Sequence, residues 1–457
     1  MINYTLKDLA EAALGTVISG DTSARIGDLS IDSRTIKKGD VFIALKGDNH
    51  DGHDFIGEVL AKGALGVIAE TFIGSEANGK AALITVKGSS GAIRRVAEDI
   101  RGKLDIPFIG VTGSNGKTTV KELIALIISA KFKTLKSQAS YNNVLGVSLT
   151  LFNAQSDHEI AVMELGTNHP GEIRDLAGLV RPRLAVITNI GDSHLEFLGD
   201  RDGVFREKSD ILSGLGEGGA AFFNGDDNYL RRVNRDDVKV LFYGERRECD
   251  YRVTDIKCET NGSSFRLNGN AYFIPVPGAH NVHNAAAAVS VASYLGVDPG
   301  LIGKQLMSAA LPKMRLEKVK AHGIDFINDS YNSNPSSFEA ALGVLSSLGE
   351  FGKKIVVSGE MMELGKLSEQ LHIEIGRKIA GLGIDRLITV GAGASSIASG
   401  AIDNGFDPRY IYGASDAEGA SRILSEVAAE GDTVLIKGSR KTKMEEILKC
   451  FSSSYIR

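Results

Sequence analysis

Gly110-Val111-Thr112-Gly113-Ser114-Asn115-Gly116-Lys117-Thr118-Thr119 decides how this chain is read. It follows the apolar run Ile106–Val111 and opens the stretch Lys117–Lys131, whose apolar residues have helical spacing. A glycine-rich turn between a strand and a helix is the setting a phosphate-binding loop requires. Glycines let backbone N–H groups curl around phosphate oxygens, and the helix N-terminus adds partial positive charge. Lys117 is placed to neutralise β- and γ-phosphates, and the Thr118 hydroxyl to reach a bound Mg²⁺. Gly113, Ser114, Asn115, Gly116 and Thr119 complete the cradle. The usual pattern has a glycine six residues before the lysine, where this chain has Val111. The competing reading is an ordinary βα turn. The placement of Gly116-Lys117-Thr118-Thr119 at the helix start argues against it.

Outward from the loop, the pattern is that of an α/β protein. Ile160–Leu165 and Leu184–Ile190 are short apolar runs of the kind buried in a parallel sheet. Residues 238–277 read as several antiparallel strands, with turns at Asn261-Gly262 and Asn268-Gly269, followed by an alanine-rich helix from Asn281 to Leu295. Beyond Pro312 the alternation restarts, with strands expected at 324–328, 354–358, 386–390 and 433–436 and helices near 336–348, 368–381, 394–404 and 415–429. Ahead of the loop, a helix is expected at Leu6–Ala13 and strands at Val41–Leu45 and Ala64–Ala69. A polar loop spans Lys46–Gly52, and Val86–Gly91 reads as a linker. A second glycine turn, Gly391-Ala392-Gly393-Ala394, lacks the third glycine of a dinucleotide fingerprint and reads as a plain turn. Three domains are expected: 1–86, 87–312 and 313–457.

Composition narrows the function classes. The 457 residues suit two to four domains at roughly 100–200 residues each. Lys plus Arg is 52 and Asp plus Glu 57, a net charge of −5, which gives no general attraction to nucleic acid or anionic membranes. The longest apolar stretches, such as Leu123–Ala130, fall far below the ~20 residues of a membrane span. Lys7, Asp8 and Glu11 stand where a signal peptide would be apolar. Three cysteines without zinc-ligand spacing complete the expectation of a cytoplasmic, reduced protein.

Further polar residues gather at strand ends, where open α/β sheets bind ligands. Glu164 closes one strand and is followed by Gly166-Thr167-Asn168-His169-Pro170-Gly171. A carboxylate there is placed to hold Mg²⁺, with a solvated loop acid as the bland alternative. Thr188 to Glu196 repeats the arrangement, with His194 fourteen residues before Lys208. By themselves, His194 reads as a hydrogen-bonded structural residue and Lys208 as a solvated helix lysine. Asn281 and Asn284 share a helix face and offer amides to an adenine edge, with helix capping as the alternative for Asn281. Arg315 precedes a strand that ends at Asp329. They are placed for phosphate and for ribose or a lysine, or form a surface pair and a turn.

Taken in order, VTGSNGKTT, YNN, ELGTNHPGEI, TNIGDSHLE, HNVHNAAAA, MRLE and NDSYNSNP resemble the Mur ligase family over nearly the whole chain. Val111 matches that family's missing first loop glycine. DSYNSNP, GEMMELG (Gly359–Gly365) and IKGSRKTKME (Ile436–Glu445) resemble the branch that adds a dipeptide. Asp32-Ser33-Arg34, Gly39–Leu45 and Asp51-Gly52-His53 resemble its UDP-binding N-terminal domain. The resemblance implies an α/β fold of three domains: a small UDP-binding domain, a central P-loop ATPase-like parallel sheet with an antiparallel subsheet, and a C-terminal Rossmann-like domain. It implies an ATP-dependent amide ligase of peptidoglycan biosynthesis that adds D-alanyl-D-alanine to a UDP-N-acetylmuramoyl-tripeptide. The reaction proceeds through an acyl phosphate and is the last cytoplasmic step of pentapeptide-precursor assembly. It also implies two Mg²⁺ ions, held by Thr118 and Glu164 and by His194 and Lys208, with Lys208 carbamylated by CO₂ because an ammonium cannot ligate a hard cation. Substrate contacts are implied for Ser33, Arg34, Asn142, Asn143, Thr167, Asn168, His169, Tyr331, Asn332 and Asn334. No nucleic-acid partner is expected, and the chain is expected to act as a monomer. A ligase adding a single amino acid, and a catalytically silent nucleotide-binding scaffold, are the alternatives.

Overall fold

A computed structural model describes residues 4–47, 49–72, 81–348 and 352–454. Residue 48 of the expected Lys46–Gly52 loop is outside this set. Three sheets follow one another along the chain. The first has five strands, in the order Thr16–Ser19, Ala82–Thr85, Gly66–Ala69, Val41–Ile43 and Leu29–Ser30. Its inner strands are parallel to one another, and Val41–Ile43 and Gly66–Ala69 are buried on both faces, which is why they read as continuous apolar runs.

The central sheet has nine strands. Its parallel heart runs Ala220–Asn224, Leu184–Ile187, Phe108–Thr112, Ile160–Glu164 and Thr134–Lys136. The loop strand Phe108–Thr112 lies between those ending at Glu164 and at Ile187, so the polar residues after all three strands meet at one sheet edge. The helices Lys117–Ile128 and Ala279–Tyr294 pack together over one face. The seven alanines and valines of Ala285–Ala292 are buried in that layer, and small side chains there let the two helices approach closely.

The last sheet has six strands, in the order Glu317–Ala321, Ile324–Asp329, Thr433–Lys437, Lys354–Gly359, Arg386–Val390 and Ile411–Ala414. All neighbours are parallel except the first pair. This is the expected second βα array.

Three local expectations are corrected. The segment 86–91 is no linker: Ser89 begins the fifteen-residue helix Ser89–Lys103, whose apolar face is buried. Glycine and serine there start a helix rather than separate domains. Within 238–277 only Tyr251–Glu259, Gly262–Leu267 and Asn270–Ile274 are antiparallel. Lys239–Gly244 is parallel to both neighbours, because the segment around Leu230–Arg232 carries the chain back before it enters the sheet. Leu184–Ile187 also stops short of Ile190. Thr188 Oγ1 and Asn189 Nδ2 instead donate to the carbonyl of Asn115 and bind the strand end to the loop. Among the described residues no helix is long and apolar enough to cross a membrane.

Candidate active site

The glycine loop leaves its strand at Gly113, φ +143°, and enters the helix at Gly116, φ +80°. Ser114 is fixed by Ser193 Oγ at 2.9 Å and by the Gly191 N–H, which donates to its hydroxyl at 2.9 Å. Lys117 folds back over the loop and donates to the carbonyls of Gly113, 2.8 Å, and Ser114, 3.2 Å. Burial draws its pKa down to about 8, Glu164 opposes that shift and Arg315 adds to it.

The loop faces a cleft of about 840 Å³ lined by all three polar strand ends and by residues of the last sheet. Thr118, Glu164, His194, Asn281, Asn284, Arg315 and Asp329 all line it, as do Asn142, Asn143, Thr167, Asn168, Tyr331, Asn332 and Asn334. Ser33 and Arg34 do not. They stand on the first sheet's unit, where Arg34 pairs with Asp32 at 2.7 Å and the Ser33 carbonyl accepts from Lys62 at 2.9 Å. His169 packs its ring on Phe197, 4.4 Å between centroids, outside the cleft lining.

Glu164 is buried. Its Oε1 accepts from Asn142 Nδ2 at 3.0 Å, while Oε2 is buried without a hydrogen-bond partner. Such an atom ordinarily costs ~1–3 kcal/mol, and a cation beside it removes that cost. The Thr118 hydroxyl accepts from Arg315 Nη2 at 2.8 Å, so arginine engages the oxygen that a metal would contact. His194, φ +55°, donates Nδ1–H to Glu363 Oε2 at 2.5 Å, which leaves Nε2 for a ligand. Burial lowers the His194 pKa, the Glu363 hydrogen bond opposes this, and Lys208 and Lys117 lower it further. A neutral ring is the form that binds metal.

Lys208 is fully buried with no hydrogen-bond partner on Nζ, so it is neither a solvated helix lysine nor an ion-pair partner. Burial, and then repulsion by Lys117, hold its pKa well below the usual lysine range, against attraction from Glu207. A neutral amine in a dry site is the nucleophile that adds to CO₂, so the residue fits a carbamate.

Asn281 Nδ2 donates to the Pro277 carbonyl at 2.9 Å, and Asn284 Nδ2 to Asn281 Oδ1 at 3.2 Å, so neither serves as an N-cap side chain. Asp329 pairs with Lys437 and accepts from the Leu316 N–H at 3.1 Å. Arg315 stacks on Tyr331, 4.1 Å from the ring centre. Asn334 caps the helix Pro335–Ser347 and exchanges amide hydrogen bonds with Asn115, 2.8 and 3.2 Å. The last unit therefore touches the phosphate loop directly.

Three partners escaped the residue-by-residue reading. Glu363 and Lys437 lie within GEMMELG and IKGSRKTKME, so a signal existed. Glu207, adjacent to Lys208, accepts from Thr167 Oγ1 and from the N–H groups of Gly171 and Ile173, and fixes the helix Glu172–Val180. Nothing in its helical setting announces that role.

The sequence matches the families described as Mur ligase family, catalytic domain (residues 25–103), Mur ligase middle domain (111–292) and Mur ligase, glutamate ligase domain (314–440). It is 36% identical to a UDP-N-acetylmuramoyl-tripeptide–D-alanyl-D-alanine ligase of Bacillus subtilis, covering 98% of each chain, and 32% identical to that of Escherichia coli, covering 99% of each. A crystal structure of MurF from Acinetobacter baumannii superposes with a TM-score of 0.87 at 33% identity over 99% of both chains. MurF ligase from Thermotoga maritima in complex with ADP gives 0.79 at 29% identity, over 93% of this chain and 97% of that one. Three successive family matches, full-length identity and a shared three-sheet architecture agree: this chain belongs to the Mur ligase family.

Proposed function

We propose that the chain joins D-alanyl-D-alanine to UDP-N-acetylmuramoyl-tripeptide with conversion of ATP to ADP and phosphate, in the cytoplasm. The observation that carries the reading is one cleft into which a phosphate loop, Glu164 and the neutral His194 converge beside the buried amine of Lys208, closed by Arg315 and Asn334 of the last unit. Residues 1–86 would hold the UDP moiety through Ser33 and Arg34, 87–312 ATP, and 313–457 the incoming dipeptide.

The tripeptide carboxylate attacks the γ-phosphorus, ADP leaves, and an acyl phosphate forms. The dipeptide amine attacks its carbonyl, loses a proton, and phosphate departs. Two anions meet in the first step, so positive charge decides the rate. Lys117 moves from the loop carbonyls to the phosphates, and Arg315 moves from the Thr118 hydroxyl to the same charge. Asn281 and Asn284 face adenine, and Asp329, held by Lys437, faces ribose. Glu164 Oε2 with the Thr118 hydroxyl, and His194 Nε2 with carbamylated Lys208, would hold two Mg²⁺ ions. Bound Mg²⁺ supplies Lewis-acid neutralisation of phosphoryl charge there. Asn142, Asn143, Thr167 and Asn168 flank the muramoyl peptide, and Tyr331, Asn332 and Asn334 the dipeptide.

The test is product mass with a panel of UDP-muramoyl peptides and amines, alongside ADP release. Sustained ADP release is expected only with both the tripeptide and D-alanyl-D-alanine. A product carrying a single added amino acid, or ATP turnover indifferent to the amine, would overturn the assignment.

A further inference from the structure

Lys121 is wholly buried, one turn beyond Lys117 on the same helix, and nothing in the ligase reading uses it. A buried ammonium is expensive unless its donors are satisfied. Its Nζ donates to the carbonyls of Ser137, 2.8 Å, and Ala139, 3.0 Å, and pairs with Glu122. Glu122 is held in turn by Lys136 at 2.5 Å. Both carbonyls belong to the turn after the strand Thr134–Lys136. Ala139 sits there at φ +43°, a left-handed conformation that is strained for a residue with a Cβ.

That turn meets Glu164 from two sides. Ser137 Oγ accepts the Glu164 N–H at 3.1 Å, and Asn142 Nδ2 donates to Oε1 at 3.0 Å. The Asn142 carbonyl accepts the Gly166 N–H at 2.8 Å, so the residues after the strand are tied as well. Added at Gly166, a Cβ would lie 2.6 Å from the Asn142 side chain, which shows how closely the two segments approach. Oε1 is thus committed, and Oε2 is the oxygen left open.

We propose that Lys121 is a positioning residue for the metal-binding carboxylate: by clamping the strained 137–139 turn it sets Asn142 against Glu164 Oε1 and leaves Oε2 open for a divalent cation. The inference rests on reading Glu164 as a metal ligand. Lys121 touches neither nucleotide nor metal, so its removal acts on the metal-dependent part of nucleotide binding and spares the part due to Lys117 and the loop amides.

The experiment measures ADP affinity by calorimetry, in excess Mg²⁺ and in EDTA, for the full chain. In Lys121→Met the gain conferred by Mg²⁺ is expected to fall about tenfold or more, as for other residues that orient metal ligands, while affinity in EDTA stays within about twofold. Glu164→Gln is expected to lose the same gain, and the double variant to lose no more than either single one. A full Mg²⁺ gain in Lys121→Met, with the gain lost in Glu164→Gln, overturns the positioning role alone. An equal loss in EDTA also overturns it, since that is damage to the loop helix. A full gain in Glu164→Gln overturns the metal-ligand reading itself, and the inference with it. If Lys121→Met does not fold, Asn142→Ala decides: loss of the Mg²⁺ gain supports the clamp, and its retention refutes it.

Discussion

Gly116→Ala tests whether the adenine and phosphate halves of the site are one packed object. Gly116 has φ +80°, and a Cβ built there lies 2.3 Å from Asn284 Oδ1. Asn284 is buried and spends its amide on Asn281, itself tied to the Pro277 carbonyl, so neither side chain retreats freely. Two costs add. The left-handed conformation costs a non-glycine residue roughly 1–2 kcal/mol. Displacing Asn284 breaks its hydrogen bond to Asn281, worth about 1 kcal/mol. Gly171→Ala is the matched control: φ is +88° and ψ −9° at a helix start, as at Gly116, yet nothing lies within 4 Å of the added Cβ. It should lose only the conformational part and leave ADP affinity unchanged, since Gly171 does not line the cleft. Gly116→Ala should lose about 2–3 kcal/mol in urea unfolding, and its ADP affinity should fall about tenfold or more, one decade per ~1.4 kcal/mol of lost contact. Adding Asn284→Ala should recover part of the stability and none of the affinity. If Gly116→Ala and Gly171→Ala behave alike in both assays, the crowding of Asn284 against the loop is refuted.

Lys117 makes nucleotide binding pH-dependent. Its pKa is drawn down to about 8 by burial, so the phosphate-binding ammonium is present below that pH and lost above it. ADP affinity in EDTA should therefore fall as pH rises through about 8, and Lys117→Arg should flatten the profile; a flat profile in the parent chain would count against it. Lys117→Ala should lower ligation by ~10²–10³, and near-normal ligation would show the loop to be misread. Lys208→Ala and Lys208→Arg should both fold and both be inactive, with short carboxylic acids partly restoring the alanine variant; full activity of Lys208→Arg would exclude the carbamate. Combined Asn334→Ala and Glu363→Ala removes bonds from the last unit to Asn115 and to His194. Solution scattering with ADP should then give a larger radius of gyration than the parent chain, and an unchanged radius would sink the closure argument.

What the sequence discloses here is what local chemistry determines. The loop was legible because strand, glycines, lysine and helix are contiguous, and Val111 does not disturb it, being an ordinary buried strand residue. The strand-end residues Glu164 and His194 were legible because a parallel sheet gathers its carboxyl ends. Lys208 was not: on its helix it looks solvated, and only the family spacing set it apart. Its burial comes from tertiary packing that no periodicity reports. Glu363 reaches His194 from 169 residues away, and Lys121 reaches Ser137 across a strand connection. The direction of Lys239–Gly244 was misread for a related reason. Asn-Gly turns announce hairpins, but nothing local says whether a strand lies parallel to its neighbours.

The cleft also concentrates what a fold selected for stability alone would remove. Glu164 Oε2 and Lys208 Nζ are buried without partners, and each costs on the order of 1–3 kcal/mol. His194 and Glu363 meet across the units at φ +55° and +64°, where side-chain-bearing residues are strained. Lys117 adds to the lowering at Lys208, and both lysines lower the pKa of His194. These penalties together are comparable to much of a domain's net stability, ~5–15 kcal/mol. On the proposed reading they share one remedy: bound phosphate would answer Lys117 and Arg315, a divalent cation would answer Glu164, and a carbamate on Lys208 would remove an orphaned donor. A site whose unsatisfied groups are all relieved by the same set of ligands is preorganised for them, because the cost is met in folding and not repeated when the ligands arrive. The last unit contributes to the loop at Asn334 and Arg315, and on the same reading those contacts would hold the loop and the Thr118 hydroxyl in place until phosphate and metal took them over.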